Sequence, residues 1–134
     1  MGMFASFEEI GAWQKARELV RRIYAATGRR PFADDFGLRD QIQKAGVSIM
    51  SNIAEGFERG GRKEFLRFLS IAKGSAGETR SHLYVAIDQG YIAPDVREDL
   101  FARVQEVSRM TAGLMSSLRR RISAKRDATV PRES

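Results

Sequence analysis

The chain has 134 residues, enough for one domain with a single core. It contains no cysteine, which excludes a disulfide framework, a thiolate nucleophile and cysteine-ligated zinc. With 23 basic and 17 acidic residues the net charge is +6, compatible with a polyanionic partner and equally with a well-charged soluble surface. The longest apolar runs are a few residues, and "MGMFASFEEI" lacks the form of a signal peptide, so the expected location is cytoplasmic.

Four helices are predicted. The first spans about residues 7–27, opened by Ser6 and Glu9 at capping-box spacing. Trp13, Ala16, Val20, Ile23, Tyr24 and Thr27 recur at steps of three and four and form one face. The second spans about 35–58, capped by Asp34 or Asp35, with Ile42, Ala45, Ile49, Ile53 and Gly56 as core stripe. Val47, Met50, Ala54 and Phe57 widen that stripe to roughly 200°, about twice the arc of a surface helix. This helix is therefore expected to be covered on two sides, by the bundle and by a subunit interface.

The third helix spans about 62–89, after the turn Gly60-Gly61, with Phe65, Phe68, Leu69, Ala72, Ala76, Thr79, Leu83, Ala86 and Ile87 inward. The fourth spans about 94–125, starting at Pro94 or Asp95. Its apolar residues Leu100, Val104, Val107, Thr111, Leu114 and Leu118 form a heptad seam. Residues 126–134, "RDATVPRES", are polar and expected to be disordered. No segment reads as a strand, so the expected fold is all-α, an antiparallel up-down-up-down four-helix bundle.

Ser48, Asn52 and Glu55 share a polar stripe with Gln41 and Arg59 beside the core of the second helix. Read as catalysis, Glu55 would be an acid or base and Asn52 would orient a substrate. No partner group of different protonation preference stands at helical spacing. Read as structure, Glu55 meets a cation of a neighbouring helix and Asn52 bonds across, fixing register. The structural reading is the stronger, and no catalytic residue is assigned. His82 has only Glu78 at ligand spacing, and open zinc sites need about three ligands, so no metal is expected. No cofactor motif occurs.

Two cationic groups remain. Lys63 and Arg67 share an outer stripe of the third helix with Ser70, Gly74, Gly77 and Ser81. Each exposed helical glycine costs roughly 1 kcal/mol against alanine, which suggests close approach by another helix or a phosphate chain. The fourth helix ends in Arg119, Arg120, Arg121, Lys125 and Arg126, five cations in eight residues. Dipole compensation accounts for about 0.3–1 kcal/mol and needs fewer. Such density suits phosphates, and no base-reading motif accompanies it.

The segments "WQKA" (13–16), "GLRDQIQKAGVSIMSNIAEG" (37–56), "KEFLRFLSIAKGSAGE" (63–78) and "GYI" (90–92) resemble the four-helix-bundle proteins encoded in intervening sequences of bacterial 23S ribosomal RNA genes. That family is similar to the accessory variability proteins of diversity-generating retroelements. The resemblance covers roughly residues 7–118 and implies a homopentamer of antiparallel bundles. It makes Ser48, Asn52 and Glu55 a structural polar joint without an established catalytic role. The chain departs from the pattern at Gly61, where a serine cap is expected, and in the basic link "AATGRRPF" with Arg29 and Arg30.

Together these readings suggest a non-enzymatic homo-oligomer that presents Lys63, Arg67, Arg119, Arg120, Arg121, Lys125 and Arg126 to structured RNA or an RNA-processing protein. The alternatives are a protein-binding adaptor, for example to a reverse transcriptase, and a structural oligomer without specific nucleic-acid binding.

Overall fold

The structure is a computed structural model that describes residues 2–129, with side chains through residue 126. Four α-helices run through the described residues: α1 (Gly11–Thr27), α2 (Phe36–Glu58), α3 (Arg62–Asp88) and α4 (Pro94–Thr129). No strand occurs among the described residues. Each helix packs on the next, and α4 closes back on α1, as in an up-down-up-down bundle. Neighbours run antiparallel: Ser48 faces Ser75 while Gly56 faces Phe68, and Tyr84 meets Phe101 edge-on.

Helix ends follow local chemistry. The Asp35 carboxylate accepts from the Leu38 N–H at 3.1 Å and starts α2. Its other oxygen accepts from the Tyr91 hydroxyl at 2.9 Å, tying the α3–α4 loop to this cap. That hydrogen bond raises the Tyr91 pKa, and Tyr91 also stacks on Phe32 at 5.2 Å, beside a cis Arg30–Pro31 bond.

The first helix begins later than its periodicity indicates. Phe7–Glu9 is a separate 3₁₀ turn, and Ile10 is extended before α1. Ser6 makes no side-chain cap; the Glu9 carboxylate accepts instead from the Ala5 N–H at 2.6 Å. The break folds Met3, Phe4 and Phe7 onto the core, with Phe7 edge-on to Trp13 at 5.1 Å. This segment packs along α2, and Met50 and Phe57 are half-buried against the core. The second cover expected for α2 therefore comes partly from the chain's own N-terminus.

In α4 the buried positions are Leu100, Val104, Val107, Thr111, Met115 and Leu118, so Met115 replaces the expected Leu114. The buried steps run 4-3-4-4-3 where the heptad seam runs 4-3-4-3-4; both reach Leu118, and Leu114 stays partly buried against the core. Helix α4 also continues through Thr129, so residues 126–129 are helical; residues 130–134 of the expected tail lie outside the described residues. At about 1.5 Å per residue, the 36 residues of α4 span about 54 Å and the 17 of α1 about 26 Å. The C-terminal part of α4 therefore leaves α1 behind and runs to the end of the bundle formed by the α2–α3 turn.

Candidate nucleic-acid interface

The polar joint is built, with its partners exchanged relative to expectation. Asn52 donates back along its own helix, to the Ser48 carbonyl at 2.8 Å and the Ser48 hydroxyl at 3.0 Å. Ser48 makes the crossing, its hydroxyl 2.9 Å from that of Ser75 on α3. Glu55 pairs with Arg59 one turn along α2 at 2.9 Å, in the open. An asparagine one turn from a serine satisfies itself locally before reaching a neighbouring helix. The shorter serines are left to meet where α2 and α3 approach closely.

That approach is set by Gly56. A Cβ there would lie 2.6 Å from Phe68 Cβ and 3.2 Å from the Phe65 ring. Phe65 is buried and packs edge-on to Phe57 at 6.1 Å. The glycine therefore fixes how α3 leaves the turn, and with it where Lys63 stands.

At that turn lies an open groove of about 830 Å³, lined by Gly60, Gly61, Arg62, Lys63, Ile122, Lys125 and Arg126. Four of the described lining residues are cations. Gly60 has φ +85°, a conformation glycine adopts without strain, and turns the chain sharply into α3. Gly61 offers no side-chain cap, so the first-turn N–H groups of α3 add partial positive charge at this end. The overhang of α4 carries Lys125 and Arg126 opposite Lys63.

The structure thus joins Lys63, Lys125 and Arg126 and adds Arg62, Gly60 and Gly61. Pairing the start of α3 with the far end of α4 in antiparallel register is the signal that would have found the added residues. Arg119, Arg120 and Arg121 are exposed nearer the bundle. Arg119 is seven residues from Arg126 and shares its side of α4, whereas the 100° step per residue puts Arg120 roughly opposite Ile122.

Arg67 stands apart. Its guanidinium donates to both Glu64 oxygens, at 3.3 and 3.2 Å, and lies 4.5 Å over the Phe68 ring. The pairing lowers the Glu64 pKa and raises that of Arg67, chiefly through this hydrogen bond. Arg59 covers the same ring at 5.1 Å. Arg67 therefore belongs to the α2–α3 flank and not to the groove. His82 lies 3.4 Å from Glu78, and no three metal-ligating side chains cluster among the described residues.

An all-α bundle with a cationic end, no membrane-length apolar helix among the described residues and a structural polar joint defines the class of protein. The chain belongs to the family of 23S rRNA-intervening sequence proteins, whose family model matches residues 8–113. It is similar to a crystal structure of a Bacteroides thetaiotaomicron protein of unknown function from the S23 ribosomal protein family. The TM-score is 0.71 at 26% identity, over 78% of this chain and 97% of that one. No curated protein matches significantly. Neither match indicates a catalytic family. The matched span ends before the cationic end of α4, so the groove is not itself covered by the family match.

Proposed function

We propose that this protein is a non-enzymatic cytoplasmic scaffold, assembled as a homopentamer, whose cationic end holds the phosphate backbone of a structured RNA or ribonucleoprotein. One observation carries the reading: Arg62, Lys63, Lys125 and Arg126 converge from two helices on one groove. Cations so placed bind phosphates by charge and spacing and carry no base readout. Membership in a family named for ribosomal RNA intervening sequences supports RNA as the polyanion. The non-enzymatic part rests on the joint, where the serines and Asn52 bond to one another and no base meets a nucleophile.

The test is fluorescence-anisotropy binding to an RNA hairpin, single-stranded RNA and duplex DNA across a salt series at neutral pH. The expected result is hairpin binding that persists near roughly 0.15 M salt, with preference over the other two. Equal, weak binding to all three that vanishes by that salt would mean that the charge is generic. A protein partner would then replace RNA as the primary one.

A further inference from the structure

The groove between the α2–α3 turn and the end of α4 differs from other cationic surfaces of the chain in two ways. Several arginines elsewhere are already engaged, Arg22 by Glu18, Arg30 by Asp34 and Arg67 by Glu64. In the groove, Arg62, Lys63 and Lys125 make no ion pair or side-chain hydrogen bond among the described residues. Their charge is left for a ligand.

The second difference is shape. The cations do not follow one line along one helix. Arg62 and Lys63 come from the start of α3, and Lys125 and Arg126 from the overhang of α4, around a single concavity. Its volume, about 830 Å³, lies in the roughly 300–1,000 Å³ range of small-molecule sites, with room for a nucleotide but not for the body of a duplex. Ile122, half-buried, is the one apolar side chain among the described lining residues. Gly61 has φ −109° and open space where a Cβ would stand. Packing therefore does not require glycine there, and the bare backbone keeps the mouth wide.

A phosphodiester inside a strand carries one negative charge, and its neighbours continue in line. A terminal phosphate monoester carries about −1.5 to −2 at neutral pH and offers three acceptor oxygens. Four converging cations exceed what one phosphodiester neutralises and match the terminal group. We propose that the groove captures the phosphorylated end of an RNA strand. The monoester sits among Arg62, Lys63, Lys125 and Arg126, and the last nucleoside lies against Ile122. The strand then runs back along α4, where Arg119 stands about 10.5 Å from Arg126 on the same side of the helix. This rests on the RNA reading above and names the part of the RNA that the groove holds.

The monoester loses its second charge as pH falls through about 6, whereas phosphodiesters, lysine and arginine keep theirs from roughly pH 5 to 8. The carboxylates near the groove in sequence are Glu58, Glu64 and Asp127. Carboxylates ordinarily titrate at about pH 4, below this window. The advantage of a phosphorylated end is therefore full above about pH 6 and fades below it.

The test is fluorescence-anisotropy binding of the full chain to one RNA hairpin, labelled in its loop and carrying a single-stranded end. The hairpin is made with a 5′-phosphate, with a 3′-phosphate or with hydroxyls at both ends, and is measured at roughly 0.15 M salt. The expected result is about tenfold or more tighter binding of at least one phosphorylated form, and the form that gains identifies the end. That advantage should shrink by about threefold or more at about pH 5. It should fall to about threefold or less in a Lys63→Gln, Lys125→Gln chain of unchanged helicity. Equal affinity for the three hairpins, an advantage that ignores pH, or one that survives the double substitution would overturn the proposal. Equal and measurable affinity would leave the RNA reading standing, whereas no affinity for any hairpin would overturn both.

Discussion

Replacing Phe65 by alanine is expected to cost about 3–5 kcal/mol, a large share of the roughly 5–15 kcal/mol that holds a domain of this size. Phe65 is fully buried where α2, α3 and the turn meet, against Phe57 and Gly56. The cost of a deleted ring depends on whether the surroundings can close over the cavity. Here they cannot close far, because Gly56 already brings the α2 backbone against Phe68 and Phe65. The loss should therefore fall in the upper part of the range and lower the melting temperature by about 10–20 °C. Urea unfolding followed by circular dichroism measures it. A loss below about 1 kcal/mol would mean that the α2–α3 joint is not packed as described.

The second large effect concerns binding. Changing Lys63, Arg119, Arg121, Lys125 and Arg126 to glutamine removes five of the six units of net charge, leaving +1. All five side chains are exposed, so folding stability should move by no more than about 0.5 kcal/mol. Hairpin affinity at low salt should fall by about a hundredfold or more. The slope of log affinity against log salt should flatten by about 0.7–0.9 for each phosphate that the variant no longer neutralises. The control is Arg29→Gln with Arg30→Gln at the other end of the bundle, where Arg30 already pairs with Asp34 at 3.5 Å. Equal losses from both variants would show that net charge, and not the groove, governs binding.

Much of this architecture is legible in the residues. Steps of three and four locate all four helices, and an aspartate before an apolar run announces the α2 cap as Asp34 or Asp35, of which Asp35 accepts the first-turn N–H. The errors arise where two local rules compete or where a tertiary neighbour decides. Ser6 and Glu9 have capping-box spacing, yet the carboxylate finds the Ala5 N–H and a 3₁₀ turn intervenes. After Thr111 the heptad step of three takes Leu114, whereas the fully buried position is Met115, four residues on, and both patterns meet again at Leu118. The groove is half legible. Its cations stand out in the sequence, but the partnership of Lys63 with Lys125 depends on how far α4 overruns α1, and the separation of Arg67 depends on Glu64 and Phe68. In the polar joint the residue types are readable and the bond directions are not, since Asn52 has two satisfying geometries and takes the local one.

The central claim is that the end of the bundle formed by the α2–α3 turn and the last turns of α4 holds RNA. Amide hydrogen exchange of the full chain, with and without a bound RNA hairpin, addresses it most directly. The expected result is slowed exchange confined to the α2–α3 turn at Gly60 to Lys63 and to α4 from Arg119 onward, with the opposite end of the bundle unchanged. Protection centred instead on Arg22, Arg29 and Arg30, or spread evenly over every cationic surface, would contradict the assignment of this groove as the RNA-binding site.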